Sequence, residues 1–109
     1  MALSPKEKSA LKHFKDGLNQ ALGAQLIELK LFGSKARGDD RPDSDLDVLV
    51  IVTDDDWRIC DVVYGIATDI LLQTEVSVSP KVISKNLLEK LQKENTFFVR
   101  NISRDAIAV

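Results

Sequence analysis

One stretch of the chain, residues 31–52, limits the folds that the rest can adopt. It reads LFGSKARGDDRPDSDLDVLVIV, in which an apolar run ends at Gly33, a polar loop follows, and a second apolar run begins around Asp45 and Asp47. Apolar runs bounded by turn-forming residues are typical of β-strands. The stretch therefore predicts strand, loop, strand. The second strand should be covered on both faces of a sheet, because residues 46–52 are apolar at nearly every position.

The two aspartates at the start of this second strand are candidate metal ligands. Side chains two residues apart in a strand project from the same face, so Asp45 and Asp47 should lie close together. Paired carboxylates repel unless a cation joins them, and oxygen ligands favour a hard ion such as Mg²⁺, which shares its shell with waters and substrate phosphates. Gly33 has no side chain, so its backbone can approach a phosphate. Taken alone, the two aspartates would be better explained as a solvated strand entrance than as a metal site.

A calcium-binding loop is the other metal site that this pattern suggests. Asp43, Asp45 and Asp47 alternate as the first ligands of an EF-hand do. The sixth position of such a loop needs glycine and the twelfth needs glutamate, but Val48 and Asp54 stand there. The sequence therefore disfavours calcium binding.

The stretch also resembles the signature of the minimal nucleotidyltransferases of the DNA polymerase β superfamily, G-S-x-A-R-G, a short polar loop, then S-D-x-D. The matching residues are Gly33, Ser34, Ala36, Arg37, Gly38, Ser44, Asp45 and Asp47. The match is specific because these identities, a loop and two flanking apolar strands must coincide. The chain length fits as well, so we interpret residues 1–109 as a single nucleotidyltransferase domain.

This resemblance implies a reaction and a set of site residues. A hydroxyl would attack the α-phosphorus of a nucleoside triphosphate, ATP by preference, and two Mg²⁺ ions would activate the attacking oxygen and stabilise the leaving pyrophosphate. The nucleotide-binding residues implied are Gly33, Ser34, Arg37 and Ser44, and the catalytic and metal-binding residues implied are Asp45, Asp47 and Glu75. Arg37 has two interpretations, of which an ion pair with an acid of the following loop is favoured over a phosphate contact.

Glu75 is assigned by its place in a third predicted strand. Residues 74–83, TEVSVSPKVI, alternate apolar and polar positions. Members of the resembled superfamily place a third carboxylate on a strand beside the paired aspartates, often two residues before a serine-proline pair. Here that position is Ser77, because Ser79 and Pro80 follow, and Glu75 is the acid on the same face one pleat earlier. An ordinary surface glutamate is the alternative interpretation.

The remaining elements are predicted helices. Apolar residues at helical spacing, together with capping residues before them, predict helices over residues 4–22, over residues 57–72, after Ser84, and within residues 97–109. Thr53 is the predicted cap of the second helix. Trp57 and Tyr64 on that helix are interpreted as core or rim residues, with stacking on a base as the alternative. The order of elements favours an α/β fold, a small mixed sheet with helices mainly on one face.

Composition limits the function classes. The net charge of −2 disfavours nonspecific nucleic-acid binding. The single cysteine, Cys60, excludes an internal disulfide and a cysteine-based zinc site. No apolar run reaches membrane-spanning length, and the amino terminus lacks the apolar core of a signal peptide. The expected location is the cytoplasm.

A single domain of this size has no second module to select an acceptor, so we expect another protein to supply it. The resemblance extends to antitoxins of two-gene modules, which are paired with an all-helical HEPN ribonuclease toxin and in some cases silence it by AMP transfer. The expected function is therefore a Mg²⁺-dependent protein adenylyltransferase that acts as an antitoxin. The alternative is a binding antitoxin that occludes its toxin and retains a degenerate site. Transfer to a small molecule is disfavoured, and self-association is left open.

Overall fold

The computed structural model of the chain describes residues 3–33 and 45–109. Four α-helices and four β-strands lie within these residues. In chain order they are α1 (Pro5–Leu22), β1 (Leu26–Phe32), β2 (Leu46–Val52), α2 (Trp57–Thr74), β3 (Val78–Ser84), α3 (Lys85–Lys93), α4 (Phe97–Asp105) and β4 (Ile107–Ala108). None of these helices is long and apolar enough to cross a membrane.

The helix α1 begins and ends where its sequence predicts. The Ser4 hydroxyl accepts a hydrogen bond from the Glu7 N–H at 3.1 Å, and the Ser4 N–H donates to the Glu7 carboxylate at 3.0 Å. This capping box satisfies N–H groups that a first helical turn otherwise leaves unpaired. Gly23 ends the helix with a φ of 55°. The buried face of α1 consists of Ala10, Leu11, Phe14, Leu18 and Leu22.

The strands form one mixed sheet in the order β3-β2-β1-β4. β2 pairs antiparallel with β1 and parallel with β3, and β4 pairs antiparallel with β1. This register places Asp47 of β2 opposite both Phe32 of β1 and Ser79 of β3. β1 ends on the side of the sheet where β2 and β3 begin. Gly33, Asp45 and the start of β3 therefore lie at the same end of the strands.

Different helices cover the two faces of the sheet. The long helices α1 and α2 pack on one face, against a core that includes Val48 and Val50. The shorter helices α3 and α4 contact the other face through a smaller cluster around Leu49, Ile51 and Ile102. β2 is therefore buried on both faces, as its continuous apolar sequence predicts. The predicted α/β class with a small mixed sheet is confirmed. The helices were predicted mainly on one face, and the structure has the two long helices there and the two short ones on the other face.

β3 forms one edge of the sheet. Pro80 lies within β3 and has no N–H to donate to a neighbouring strand. An edge strand tolerates this because one of its sides has no partner strand. The neighbouring Lys81 is exposed, and its ammonium lies 4.5 Å from the ring centroid of Phe98 in α4. This cation–π contact joins the edge of the sheet to α4.

The third strand begins later than the alternation of residues 74–83 predicts. α2 continues to Thr74, whose hydroxyl donates to the Ile70 carbonyl at 2.6 Å. Glu75 then ends the helix with a φ of 62°, and its N–H donates to the Leu71 carbonyl at 2.8 Å. The prediction of a strand over residues 74–77 is wrong. Helical hydrogen bonding continues to Glu75, and an alternation of polar and apolar residues this short does not distinguish a strand from the end of a helix.

The cap of α2 is also displaced from its predicted position. Asp56, not Thr53, is the N-cap: its carboxylate accepts a hydrogen bond from the Arg58 N–H at 2.9 Å. The Arg58 guanidinium donates two further hydrogen bonds to this carboxylate, each at 3.2 Å. These side-chain hydrogen bonds from Arg58 hold the pKa of Asp56 below its ordinary value. Asp56 is therefore the capping residue of α2.

Candidate functional site

Asp47 lies against the backbone of Gly33, where β1 ends. Gly33 has a φ of 76°, in the left-handed region that favours glycine. A Cβ atom added to Gly33 would lie 3.1 Å from Cγ and 3.3 Å from Cβ of Asp47, and closer still to one of its carboxylate oxygens. Glycine is required here both by backbone conformation and by space. The close approach limits where the half-buried Asp47 carboxylate can lie.

Asp45 and Asp47 flank Leu46, whose side chain is fully buried in the main core. Asp45 immediately precedes β2 and is exposed. The Leu46 N–H donates to the Ser77 carbonyl at 2.9 Å, which extends the contact between the β2 and β3 segments to the beginning of β2. Side chains alternate along a strand, so Asp47 projects to the side of β2 opposite Leu46. Asp45 lies just before the strand, at the cleft described next.

A cleft of about 260 Å³ opens beside Asp45, between α2 and the beginning of β3. Its polar lining consists of Asp45, Tyr64, Thr68, Ser77 and Ser79. The Asp45 carboxylate is the single charged side chain among the described residues that line it, and the other polar groups are hydroxyls. Such a lining suits a polar ligand whose own negative charge is neutralised by a cation.

Thr68 is a lining residue that the sequence did not single out. It follows Tyr64 by four residues on α2, and Leu71, a further lining residue, follows by seven. This i, i+4, i+7 spacing places the three on one face of the helix, which is the signal that could have found them. The spacing alone does not identify a cleft, because the position of β3 beside this helix face cannot be predicted from it.

Ser77 stands where the resemblance expects a third acid. It is half-buried, its carbonyl is bonded to the start of β2, and its side chain lines the cleft with Asp45. A neutral hydroxyl brings no charge to a hard cation, unlike a carboxylate. The position beside the paired aspartates is therefore present, and it carries a weaker ligand.

Glu75 does not take over this role in the structure. It lies at the carboxyl end of α2 rather than on β3, its side chain is 89% exposed, and its carboxylate lies 3.8 Å from the Lys6 ammonium of α1. Residues 3–33 and 45–109 contain no group of three histidine, cysteine, aspartate or glutamate side chains placed to hold one metal ion. The prediction that Glu75 shares a strand face with Ser77 is wrong, because the left-handed residue that ends α2 turns the chain at that point.

The remaining predicted site residues, Ser34, Arg37 and Ser44, lie outside the described residues. Of the predicted nucleotide-binding set, the structure thus locates Gly33. Of the predicted metal ligands, Asp47 lies against Gly33, Asp45 lines the cleft, and Glu75 lies at the end of α2. The oxygen-only donor pair fits a hard divalent cation, since Mg²⁺ is typically held by one or two carboxylates and completes its shell with waters and substrate phosphates. The glycine contact at Asp47 supports this fit, because it holds one of the two carboxylates in place.

Comparison with known proteins also indicates a nucleotidyltransferase. The family model described as a nucleotidyltransferase domain matches residues 11–109. A protein of Methanocaldococcus jannaschii, provisionally named a protein adenylyltransferase, is 38% identical over 96 residues, which cover 88% of this chain and 90% of that protein.

Two crystal structures of toxin–antitoxins resemble this chain in fold. One contains AMP-PNP and superposes with a TM-score of 0.56 at 17% identity, covering 87% of this chain and 68% of that chain. The other, a mutant of the toxin–antitoxin MntA-HpeT, gives a TM-score of 0.54 at 17% identity, covering 94% of this chain and 70% of that chain. At this level of identity the two structures show a common fold and no more.

Proposed function

The chain belongs to the nucleotidyltransferase domain family, and on this premise we propose that it transfers AMP from ATP to a hydroxyl group of a partner protein. The hydroxyl oxygen forms a bond to the α-phosphorus of ATP, the bond from that phosphorus to the β-phosphate oxygen breaks, and pyrophosphate leaves. The hydroxyl proton is released to solvent. The name of the Methanocaldococcus jannaschii relative supports a protein as the acceptor.

The observation that carries the proposal is the contact between Gly33 and Asp47, with Asp45 two residues earlier at the mouth of a cleft. The two carboxylates would hold Mg²⁺, which when bound neutralises charge on the phosphates and activates the attacking oxygen. Asp47 keeps its geometry through the Gly33 backbone, so little reorganisation is needed when ATP binds. Asp45 faces the cleft through which the acceptor hydroxyl approaches.

Residues of the segment between β1 and β2 complete the proposed site. Ser34, together with Gly33, would bind the β- and γ-phosphates, and Ser44 would support the start of β2. Arg37 would form an ion pair with an acid of the same segment, and a direct phosphate contact is its second role. These assignments rest on the match to the family's motif.

The partner that we propose is a HEPN-type toxin, for which this chain would be the antitoxin. The support is that the two structures described above, which share this fold, are toxin–antitoxins. ATP and Mg²⁺ are both abundant in the cytoplasm, where we expect the pair to act.

A second function is favoured by the hydroxyl of Ser77 at the position of the third acid. With Glu75 turned toward Lys6, two carboxylates are left at the site in the described part of the chain. A site with two acids could bind ATP and a metal ion without efficient transfer. In that case the chain would neutralise its toxin by covering it.

Transfer of the α-phosphate of labelled ATP to proteins of a host extract tests the first function. We expect a labelled protein band with the wild type, loss of label in Asp45→Asn and Asp47→Asn, and retained label in Glu75→Gln. Asp54→Asn is the matched control, since this exposed aspartate lies beyond the other end of β2. Paramagnetic broadening by Mn²⁺ gives a reading that does not depend on activity, and it should affect residues around Asp47 in the wild type and weaken in Asp47→Asn.

The two functions make opposite statements about Asp45→Asn. If the chain acts by transfer, this variant should lose neutralisation of the toxin while the complex persists. If it acts by occlusion, both the complex and neutralisation should survive the substitution. Transfer that persists in both Asp45→Asn and Asp47→Asn would refute the proposed site.

A further inference from the structure

The outer side of α2 carries a line of large apolar side chains. Trp57, Tyr64 and Leu71 follow one another at intervals of seven residues, with side chains 75%, 52% and 43% exposed. Residues seven apart lie almost directly above one another on a helix, so the three form a straight stripe along α2. Single exposed apolar residues are ordinary on a protein surface, but an aligned pair of aromatic residues and a leucine is typical of a surface that another protein covers. We call these three residues the α2 stripe.

The α2 stripe runs into the candidate active site. Tyr64 and Leu71 also line the cleft that contains Asp45. A protein lying along the stripe from Trp57 onward would therefore reach the edge of that cleft. The stripe and the site form one continuous surface.

Charge indicates what kind of partner fits. Residues 54–74 contain five aspartates and one arginine, a charge of −4, whereas the whole chain carries −2. That arginine, Arg58, is bound to the cap residue Asp56 at 3.2 Å. Asp54, Asp55, Asp61 and Asp69 are exposed. Asp61 lies beside the stripe, between Trp57 and Tyr64, and the acids of residues 54–56 precede Trp57. The Trp57 end of the stripe is thus acidic, which favours a partner with basic side chains around an apolar stripe of its own.

The same charge disfavours two other occupants. Nucleic acid is a polyanion and would be repelled by this surface. A second copy docked symmetrically through its own α2 would bring a surface of like charge, which costs free energy in a desolvated interface.

We propose that the α2 stripe is the docking surface for a basic amphipathic helix of the protein that receives the nucleotide. This rests on the proposed transfer for the identity of the partner, and the stripe itself rests on the exposure and charge described above. A helix with apolar residues seven apart packs along α2, its lysines or arginines face Asp61 and the acids before Trp57, and the docked protein is held beside Asp45. The stripe thereby selects the acceptor, a task for which the cleft has few groups of its own.

Two synthetic helical peptides test the surface without requiring transfer. Both carry leucine at every seventh position. One has lysines on either side of the leucines, and its control has glutamates there. Trp57 is the single tryptophan of the chain. We therefore expect the basic peptide to shift Trp57 emission to the blue and protect it from iodide quenching, and the acidic peptide to leave both unchanged.

Substitutions then locate the binding. Binding of a fluorescent basic peptide should weaken about tenfold in Trp57→Ala, the size expected of a central aromatic anchor, and by a similar factor in Asp61→Lys. The matched controls are Phe97→Ala, also 75% exposed but on α4, and Asp16→Lys on the exposed side of α1. Both controls should bind as the wild type does. Circular dichroism of each variant confirms that it is folded.

The outcomes separate this proposal from the proposed function. Peptide binding that depends on Trp57, in a chain that transfers nothing to the toxin, supports the docking surface and removes the transfer. Normal label transfer to the acceptor in both Trp57→Ala and Asp61→Lys overturns the docking surface and leaves the transfer intact. No binding of the basic peptide, equal binding of the acidic one, or burial of Trp57 by self-association with rising concentration each overturns the docking surface.

Discussion

Replacing Gly33 by alanine should damage the site more than the fold. An L-residue at a φ of 76° carries backbone strain of about 1–3 kcal/mol. The added Cβ also meets the Asp47 side chain at 3.1 Å from Cγ and closer to a carboxylate oxygen, so that side chain must leave its rotamer, at a cost of about 0.5–1.5 kcal/mol. Gly33→Ala should therefore lower the free energy of unfolding by about 2–4 kcal/mol.

Gly23→Ala is the matched control. Gly23 also has a positive φ, 55°, but a Cβ added there meets nothing within 4 Å. It should carry the backbone strain alone. Urea denaturation of the two variants gives the difference in stability, and Mn²⁺ binding gives the consequence for the site. We expect Mn²⁺ affinity to fall at least about tenfold in Gly33→Ala, one lost charge-assisted contact being worth about 1.5–3 kcal/mol, and to stay unchanged in Gly23→Ala.

The reasoning would be refuted by a particular combination of results. If Gly33→Ala and Gly23→Ala lost equal stability and both retained Mn²⁺ binding and label transfer, the contact with Asp47 would have no role in holding the carboxylate. Loss of Mn²⁺ binding in both variants would indicate a general effect of destabilisation. A crystal structure of Gly33→Ala would then show whether Asp47 had moved.

Two further predictions concern α2. Gly65→Ala should raise the free energy of unfolding by about 1 kcal/mol, because alanine is the better helix former and a Cβ there meets nothing within 4 Å. The matched Gly17→Ala should gain less stability, since its Cβ would lie 3.2 Å from Cγ2 of Ile66. Thermal unfolding of both variants measures the difference. The pKa of Asp56 is lowered by Arg58, so its contribution to stability is present above the pKa of the unfolded state and is lost as pH falls through the lower folded pKa, below about pH 4. In Arg58→Gln, NMR titration should show the Asp56 pKa rising toward its ordinary value, and an unchanged pKa would contradict the assignment.

The parts of the fold that could be predicted from sequence are those in which one local signal dominates. The capping box at Ser4 and the glycine at position 23 define α1 because both satisfy backbone hydrogen bonds within a few residues. The apolar run of β2 predicts a strand covered on both faces. In the structure β2 is an interior strand of the sheet and is buried on both faces. One local motif singles out both Gly33 and Asp47, and the structure places them in contact.

The errors fall where local signals compete. The segment from Thr74 to Ser77 alternates like a strand, but α2 extends to Thr74 and is capped at Glu75, so β3 begins only at Val78. Glu75, predicted on a sheet face, consequently lies at a helix end beside Lys6. The cleft lined by Thr68 and Ser79 could not be predicted, because it depends on how closely α2 lies to β3. No spacing in the sequence encodes that distance.

The edge position of β3 has a consequence for the behaviour of the protein at high concentration. Unpaired edge strands are sites where sheets of different molecules join and aggregate. A strand that approached β3 would meet Pro80, which offers no N–H, and beside it the charge of Lys81. Both features interrupt the regular ladder that an added strand needs. This edge should therefore resist the growth of intermolecular sheets, so that the protein can be concentrated without fibrillar aggregation beginning there.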